Sequence, residues 1–211
     1  MKCFRRLTGF TLLFTVLLGS GCQLGAPAAA QAKPATAEAV NERLVFLLVP
    51  IQNPRKQVRE DVEKSLREFY TADIRWLDNV AIPQSAYYEP RRRYRSEKLL
   101  EWLQAECAQD SKTTKVVGAT EKDISTTAHG VHDYGIMGLA YMGGTTCVVS
   151  SYRSKRRVGP VAVHEAGHTL GLEHCPNKGC LMRDGEGTGA DIVNHKGFCS
   201  KCRSRISTWL R

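Results

Sequence analysis

Residues 164–174 read His-Glu-Ala-Gly-His-Thr-Leu-Gly-Leu-Glu-His, and this stretch decides how the rest of the chain is interpreted. His164 and His168 are four residues apart on a predicted helix, so both imidazoles project from one face of it, about one turn apart. Gly171 can adopt positive φ without a β-carbon penalty, so we predict that the helix ends there and the chain turns. The turn lets His174 return as a third imidazole.

This pattern is typical of a catalytic metal site. Three histidines and one water make an open zinc site. We therefore predict that His164, His168 and His174 bind a catalytic Zn²⁺. Glu165 follows the first of these ligands directly, and its carboxylate can lie beside the metal, in reach of a metal-bound water, as a general base. A purely structural site has no use for an adjacent acid, which favours catalysis.

Four cysteines follow the histidines in two pairs, Cys175 with Cys180 and Cys199 with Cys202. This spacing fits a closed, tetrahedral, structural zinc site with four thiolate ligands. Two disulfides are the alternative, because an exported protein meets an oxidising compartment. We favour zinc, since metal binding during folding protects the thiolates. His195 lies between the two cysteine pairs. It could replace one cysteine as a zinc ligand, but we favour the simpler interpretation that it is a surface residue.

The run HEAGHTLGLEHC-x₄-C-x-M, with the later C-x-x-C, resembles the archaemetzincins, a branch of the metzincin metallopeptidases. The resemblance covers residues 164–202 closely. It implies a zinc metallopeptidase with one catalytic and one cysteine-bound zinc, and a turn that places Met182 under the catalytic histidines. It also implies a metzincin-like mixed twisted sheet with packed helices, an active-site helix and a small zinc-bound C-terminal part at about residues 175–211.

The chain upstream of the motif reads as an α/β domain that starts near residue 41. Leu44–Val49 is a continuous apolar run that suits a buried strand, and Asn53-Pro54 is a helix start signal. Asp73–Leu77 is the next predicted strand, and strand–helix–strand implies parallel pairing. We further predict a helix at about 96–107, strands at 115–119 and 147–151, and an edge strand at 135–141.

The first 22 residues are predicted to be a signal peptide. A basic start is followed by the apolar stretch Phe10–Leu18, which is too short to span a bilayer. The small residues before Cys22 resemble a lipobox, so we expect cleavage and acylation at Cys22. Cleavage after Ala32 and an uncut membrane anchor are the alternatives. In each case we expect export to the cell envelope, as a lipid-anchored or secreted protein.

Composition restricts the classes of protein and partner. Residues 23–40 are rich in Ala, Gln, Gly and Pro and read as a flexible linker. Of the 211 residues, 42% are apolar and 24% charged, which excludes a disordered, collagen-like or coiled-coil chain. The net charge is +9, but aromatics reach only 8%, which disfavours a base-stacking nucleic-acid surface. We expect a monomer that acts on peptides or proteins and binds no nucleic acid.

Several alternatives remain open at this point. The zinc sites also suit a catalytically silent envelope binding protein, or a zinc amidohydrolase that acts on a non-peptide amide. Cys107 and Cys147 form one disulfide or are two buried thiols. The predicted edge strand at 135–141 is our candidate for the substrate-binding strand. His129, His132 and Asp133 precede it, either as cleft residues or as loop residues with no catalytic part.

Overall fold

The computed structural model describes residues 43–109, 111–154, 157–185 and 197–211. The predicted signal peptide, the predicted linker and His195 lie outside the described residues. None of the helices in the described ranges has both the length and the apolar composition that a membrane crossing requires.

The described residues form nine strands and four α-helices. In chain order they are β1 (Leu44–Pro50), α1 (Lys56–Phe69), β2 (Ala72–Trp76), β3 (Tyr87–Tyr88), β4 (Arg93–Arg95), α2 (Ser96–Glu106), β5 (Thr114–Thr120), β6 (Ile124–Ala128), β7 (Val131–Ile136), β8 (Gly138–Ala140), β9 (Thr146–Ser150), α3 (Gly159–Thr169) and α4 (Ser200–Arg205).

The main sheet has the strand order β2-β1-β5-β9-β8. Its first four strands are parallel, and β8 pairs with β9 in the antiparallel direction at one edge. Parallel strands must be covered on both faces, which explains their continuous apolar runs. Helices α1 and α3 pack in the core cluster on one face, and α2 packs in a separate cluster on the other. The predicted α/β class and crossover are confirmed.

Two predicted boundaries differ from the structure. Helix α1 begins at Lys56 and not at Pro54, because Asn53 adopts a left-handed conformation with φ of 51° and its N–H bonds to Asn79. The predicted edge strand at 135–141 is interrupted at Met137. Its first residues end β7, and only Gly138–Ala140 form the edge strand β8.

A smaller sheet with the order β3-β4-β6-β7 lies outside the sequence predictions. Strands β6 and β7 form an antiparallel hairpin whose turn residues, His129 and Gly130, both have positive φ, at 52° and 71°. Two positive φ values define the turn type whose twist matches that of paired strands. We call residues 124–136 the hairpin.

The two cysteines upstream of the site do not pair with each other. Cys147 is a buried free thiol in the cluster that contains α1 and α3. The Cys107 side chain packs in the α2 cluster on the opposite face of the sheet. Of the two alternatives, a Cys107–Cys147 disulfide is therefore wrong.

Helix α1 positions the start of α3, the helix that carries the site. The Asp61 carboxylate accepts hydrogen bonds from the backbone N–H groups of Val158 and Gly159, both at 2.7 Å. These are donors that a helix N-terminus leaves without an intrahelical partner. Gly159 packs so closely on Ser65 that a β-carbon there would overlap the hydroxyl. The first turn of α3 is therefore fixed against α1.

Candidate metal centre

The end of α3 turns the chain at Gly171, as predicted. Gly171 has φ of 88°, a left-handed value that glycine adopts without steric cost. The N–H of Gly171 bonds to the His168 carbonyl, and that of Leu172 to the Gly167 carbonyl, both at 3.0 Å. This pair of bonds is the Schellman motif. It reverses the chain so that His174 returns to the face of α3 that carries His164 and His168.

Backbone carbonyls orient the two helical imidazoles. The Nδ1 atom of His164 lies 2.7 Å from the Leu181 carbonyl oxygen, and that of His168 lies 2.6 Å from the Leu172 carbonyl oxygen. A carbonyl only accepts hydrogen bonds, so Nδ1 carries the hydrogen on both rings and Nε2 keeps a lone pair. The two Nε2 atoms face each other at 3.0 Å.

Two facing lone pairs repel each other unless a cation lies between them. Ligands at about 2.0–2.1 Å in a tetrahedral zinc site are roughly 3.3 Å apart, close to the observed separation. Burial lowers the pKa of His164 to about 3 and that of His168 to about 4, so both rings are neutral at pH 7, as metal ligands must be. The imidazole pair therefore fits a metal ion.

His174 completes the group from the exposed side. Its ring centre lies 5.4 Å from that of His164 and 4.9 Å from that of His168. One ring nitrogen from each of the three residues falls within 4.8 Å of the others. The Nδ1 atom of His174 lies 3.6 Å from a carboxylate oxygen of Asp184. A carboxylate beside a ligating imidazole is a common way to hold its orientation.

The Glu165 side chain is buried and packs closely against strand β8. Burial raises the pKa of its carboxyl to about 8. A β-carbon on Gly138 would come within 2.5 Å of Oε1 and 2.6 Å of Cγ of Glu165. The glutamate therefore occupies the volume that any larger residue at position 138 would need. Sequence reasoning missed Gly138, because its contact with Glu165 joins two elements that are distant in the chain.

We expect Gly138→Ala to lower peptidase activity by at least tenfold while zinc content stays unchanged. The methyl group pushes the Glu165 carboxylate away from its position, and displacements of about 1 Å can cost about 10²-fold in rate. Metal analysis and kcat/KM on one peptide substrate measure the two effects. Gly179→Ala is the matched control, since a β-carbon there meets nothing closer than 3.6 Å. Unchanged activity in Gly138→Ala would contradict the role of this contact.

Met182 lies under the active-site helix, where the resemblance places it. Its side chain is fully buried. A β-carbon on Gly167, the residue before His168, would come 2.6 Å from the Met182 sulfur. The glycine thus allows the thioether to pack directly against the helix backbone between the two helical histidines.

The four predicted cysteines also meet. Their sulfur atoms all lie within 4.8 Å of one another, and the Cys175 and Cys199 sulfurs are 3.8 Å apart. Four thiolates at about 2.3 Å from one ion in tetrahedral geometry are roughly 3.8 Å apart, whereas a disulfide bond is about 2.05 Å long. All four are free cysteines, so the alternative of two disulfides is wrong.

Backbone N–H groups point at these sulfur atoms. The N–H of Cys199 lies 3.3 Å from the Cys180 sulfur. A hydrogen bond from the Cys202 backbone lowers the pKa of the Cys199 thiol to about 7, whereas burial raises the pKa of the Cys180 and Cys202 thiols. Donors of this kind stabilise thiolates, which are the form that binds metal. The cysteine cluster therefore fits a second ion.

Comparison with known proteins shows the family of this chain. The sequence model of peptidase family M54 matches residues 56–208. The chain belongs to peptidase family M54. The archaemetzincin of Haloarcula marismortui is 29% identical over 180 residues, which cover 75% of this chain and 97% of the relative. The archaemetzincin of Archaeoglobus fulgidus is 32% identical over 155 residues, which cover 70% and 89% of the two chains.

Solved structures show the same fold as this M54 peptidase. The crystal structure of the Archaeoglobus fulgidus archaemetzincin complexed with malonate aligns with a TM-score of 0.64 at 30% identity, over 77% of this chain and all of that one. The archaemetzincin from Methanopyrus kandleri aligns with a TM-score of 0.65 at 23% identity, over 81% and 97% of the two chains. The predicted resemblance and fold are confirmed, and the protein is a zinc metallopeptidase.

A cleft of about 410 Å³ runs along the histidines of this M54 peptidase. Strand β8 and the hairpin line one side of it, and α3 lines the other. Of the three residues that were singled out before the edge strand, only His129 is among the lining residues. Asp133 pairs with Arg91 and Arg93 instead, and the His132 ring packs against Tyr88.

Proposed function

We propose that this M54 peptidase hydrolyses peptide bonds at the histidine cluster, with Glu165 as general base. The observation that carries the proposal is the 3.0 Å distance between the Nε2 atoms of His164 and His168, whose lone pairs face each other. Glu165, the residue after His164, places a buried carboxyl group beside them. The catalytic zinc ligands are His164, His168 and His174. A second, structural zinc is held by Cys175, Cys180, Cys199 and Cys202.

The chain's own residues supply the orientation and the proton transfer. When bound, Zn²⁺ polarises the scissile carbonyl and makes a water more acidic. Glu165 accepts a proton from the attacking water as the new C–O bond forms, and delivers it to the amine nitrogen as the C–N bond breaks. Gly138 leaves the room that the carboxylate needs, and the Leu181 and Leu172 carbonyls keep the two helical imidazoles in place.

The edge strand β8 supports an extended substrate. Among the described residues, β8 pairs with β9 only, so its other edge carries unpaired backbone groups beside Glu165. A peptide in extended form can add to such an edge as a further strand, with backbone hydrogen bonds that do not depend on its sequence. This arrangement brings the scissile bond to the histidines.

We also propose that the protein is exported and works in the cell envelope, anchored through an acylated Cys22 or released after cleavage near Ala32. The basic start, the short apolar stretch and the small residues before Cys22 support this proposal. Radiolabelled palmitate incorporated by the parent and not by Cys22→Ser would support the lipid anchor, and equal labelling of both would contradict it.

Metal analysis of the purified protein, combined with peptide hydrolysis, tests the function. We expect two zinc ions per chain, loss of hydrolysis after chelation, and recovery after zinc is restored. Two zinc ions without turnover of any peptide in a broad mixture would favour a binding protein. Cleavage of non-peptide amides alone would favour an amidohydrolase. A single zinc ion with all four cysteines oxidised would contradict the structural site.

A further inference from the structure

The hairpin forms one wall of the active-site cleft. Five of its residues line the cleft opposite α3: Thr126, Ala128, His129, Tyr134 and Ile136. The wall contains two aromatic rings, an aliphatic side chain and a methyl group. The proposed mechanism uses none of these side chains, which leaves them free to contact the substrate.

His129 lies at the tip of this hairpin with φ of 52°, a left-handed conformation that Asn, Asp and His adopt more often than other non-glycine residues. Turns with two positive φ values favour Asn, Asp or Gly at the first position, where a β-carbon costs energy. The His129 ring packs edge-on against the ring of Tyr134, with centres 5.0 Å apart. The turn therefore accepts an imidazole at this position, and the two neighbouring rings give the cleft wall an aromatic surface.

Ionic contacts hold the base of the hairpin in place. Arg93 pairs with Asp123 at 2.8 Å, and Arg91 pairs with Asp133 at 3.0 Å. The Thr126 hydroxyl donates to the Glu97 carboxylate at 2.6 Å. A wall that is fixed before the substrate arrives loses less conformational entropy on binding, and it selects its ligand by shape.

Of the large exposed apolar side chains, one lines the cleft and another belongs to the hairpin. The large exposed apolar residues of the described chain are Val131 (42%), Tyr141 (37%), Met142 (55%) and Tyr152 (59%). Met142 lines the cleft, and Tyr141 is the residue before Met142 in the chain. Val131 pairs across the hairpin with Ala128, which also lines the cleft. Clustered exposed apolar groups mark binding surfaces, whereas scattered ones need no explanation.

We infer that the hairpin determines substrate choice, and that His129 and Tyr134 form a subsite for an aromatic or other bulky apolar side chain of the peptide. The inference rests on the proposed function. A substrate ring can pack edge-to-face against this pair, an arrangement that aromatic groups prefer. Peptides with an acidic side chain at this point are disfavoured, because an ionised carboxylate loses hydration when it packs against an apolar wall. The natural substrates are therefore extended, apolar segments of unfolded or partly unfolded proteins.

A peptide series with one cleavable bond tests the subsite. The residues on each side of that bond are varied in turn among Phe, Leu, Ala and Glu. The parent is expected to prefer Phe and Leu over Ala by at least tenfold on the side nearer the hairpin, and Glu is expected to be poorest. His129→Gly removes one ring while it suits the positive φ of the turn, and Tyr134→Ser removes the other.

Both variants are expected to lose about tenfold in kcat/KM on the Phe peptide and less than twofold on the Ala peptide, which corresponds to the loss of one apolar contact. Tyr152→Ser is the control, since it removes an exposed ring that lies outside the cleft, and it should change neither value. An equal loss on the Phe and Ala peptides in both variants would overturn the inference.

Binding of the same peptides to the Glu165→Ala protein separates this inference from the proposed function. The Phe peptide should bind about tenfold more tightly than the Ala peptide, and His129→Gly should remove the difference. If the parent cleaves nothing but this binding preference appears, the peptidase proposal fails and the subsite stands. If peptides are cleaved and bound without any preference on either side of the bond, the subsite is wrong and the peptidase proposal stands.

Discussion

Glu165→Gln is expected to lower kcat/KM for peptide hydrolysis by about 10²–10⁴-fold, the usual contribution of a positioned general base. The amide has nearly the same size as the carboxyl group, so it fits the space beside Gly138 and leaves α3 in place. It cannot accept and then deliver a proton. Zinc content and thermal stability should therefore match those of the parent, while turnover is lost.

Glu173→Gln is the matched control for this prediction. Glu173 belongs to the same sequence motif and precedes the ligand His174, but its side chain is exposed. The control should keep parent activity within about twofold, as exposed substitutions away from special features usually do. Turnover in Glu165→Gln that equals that of the control would disprove the general-base role, even if both proteins keep zinc.

Cys199→Ser is expected to release zinc from both clusters and to destabilise the domain. A structural zinc contributes an apparent free energy of about 10–16 kcal/mol in small zinc-binding peptides, comparable to or above the net stability of about 5–15 kcal/mol of a whole domain. The two clusters are also connected. Cys175 follows His174 directly, and Leu181, whose carbonyl orients His164, follows Cys180.

The effect should therefore reach beyond the lost thiolate. The N–H of Cys175 bonds to the Met182 carbonyl at 2.8 Å, so disorder in the cysteine cluster also frees the methionine under α3. Zinc per chain after gel filtration and the thermal unfolding midpoint measure the outcome. Cys147→Ala is the control, because it removes a buried free thiol that is not one of the four clustered cysteines, and it should keep both ions. Full catalytic zinc in Cys199→Ser would refute the connection.

The clustering of the candidate site residues was predictable because they lie close together in the chain. The i, i+4 spacing of His164 and His168, the glycine stop at Gly171 and the two cysteine pairs act over short stretches, and local geometry fixes their consequences. The strands β1 and β5 were predictable for a similar reason, since a strand that is buried on both faces needs an uninterrupted apolar run.

Features that depend on distant pairing were not predictable. Strands β3 and β4 are two and three residues long, too short to carry a periodic signal, and they exist because β6 offers a partner. The Asp61 cap on α3 and the Gly138–Glu165 contact join residues that no local pattern connects. The predicted start of α1 was wrong because Asn53 adopts a left-handed backbone conformation in a turn and does not cap the helix.

The junction of His174 and Cys175 makes one peptide unit the spacer between the two candidate metal sites. Consecutive α-carbons are about 3.8 Å apart, a length that no packing adjustment can stretch. An inserted residue at this junction would shift one ligand set relative to the other. Insertions within residues 176–179, all exposed, would only enlarge a surface loop. Length variation among natural versions of this chain should therefore accumulate in that loop and stop abruptly at its histidine side.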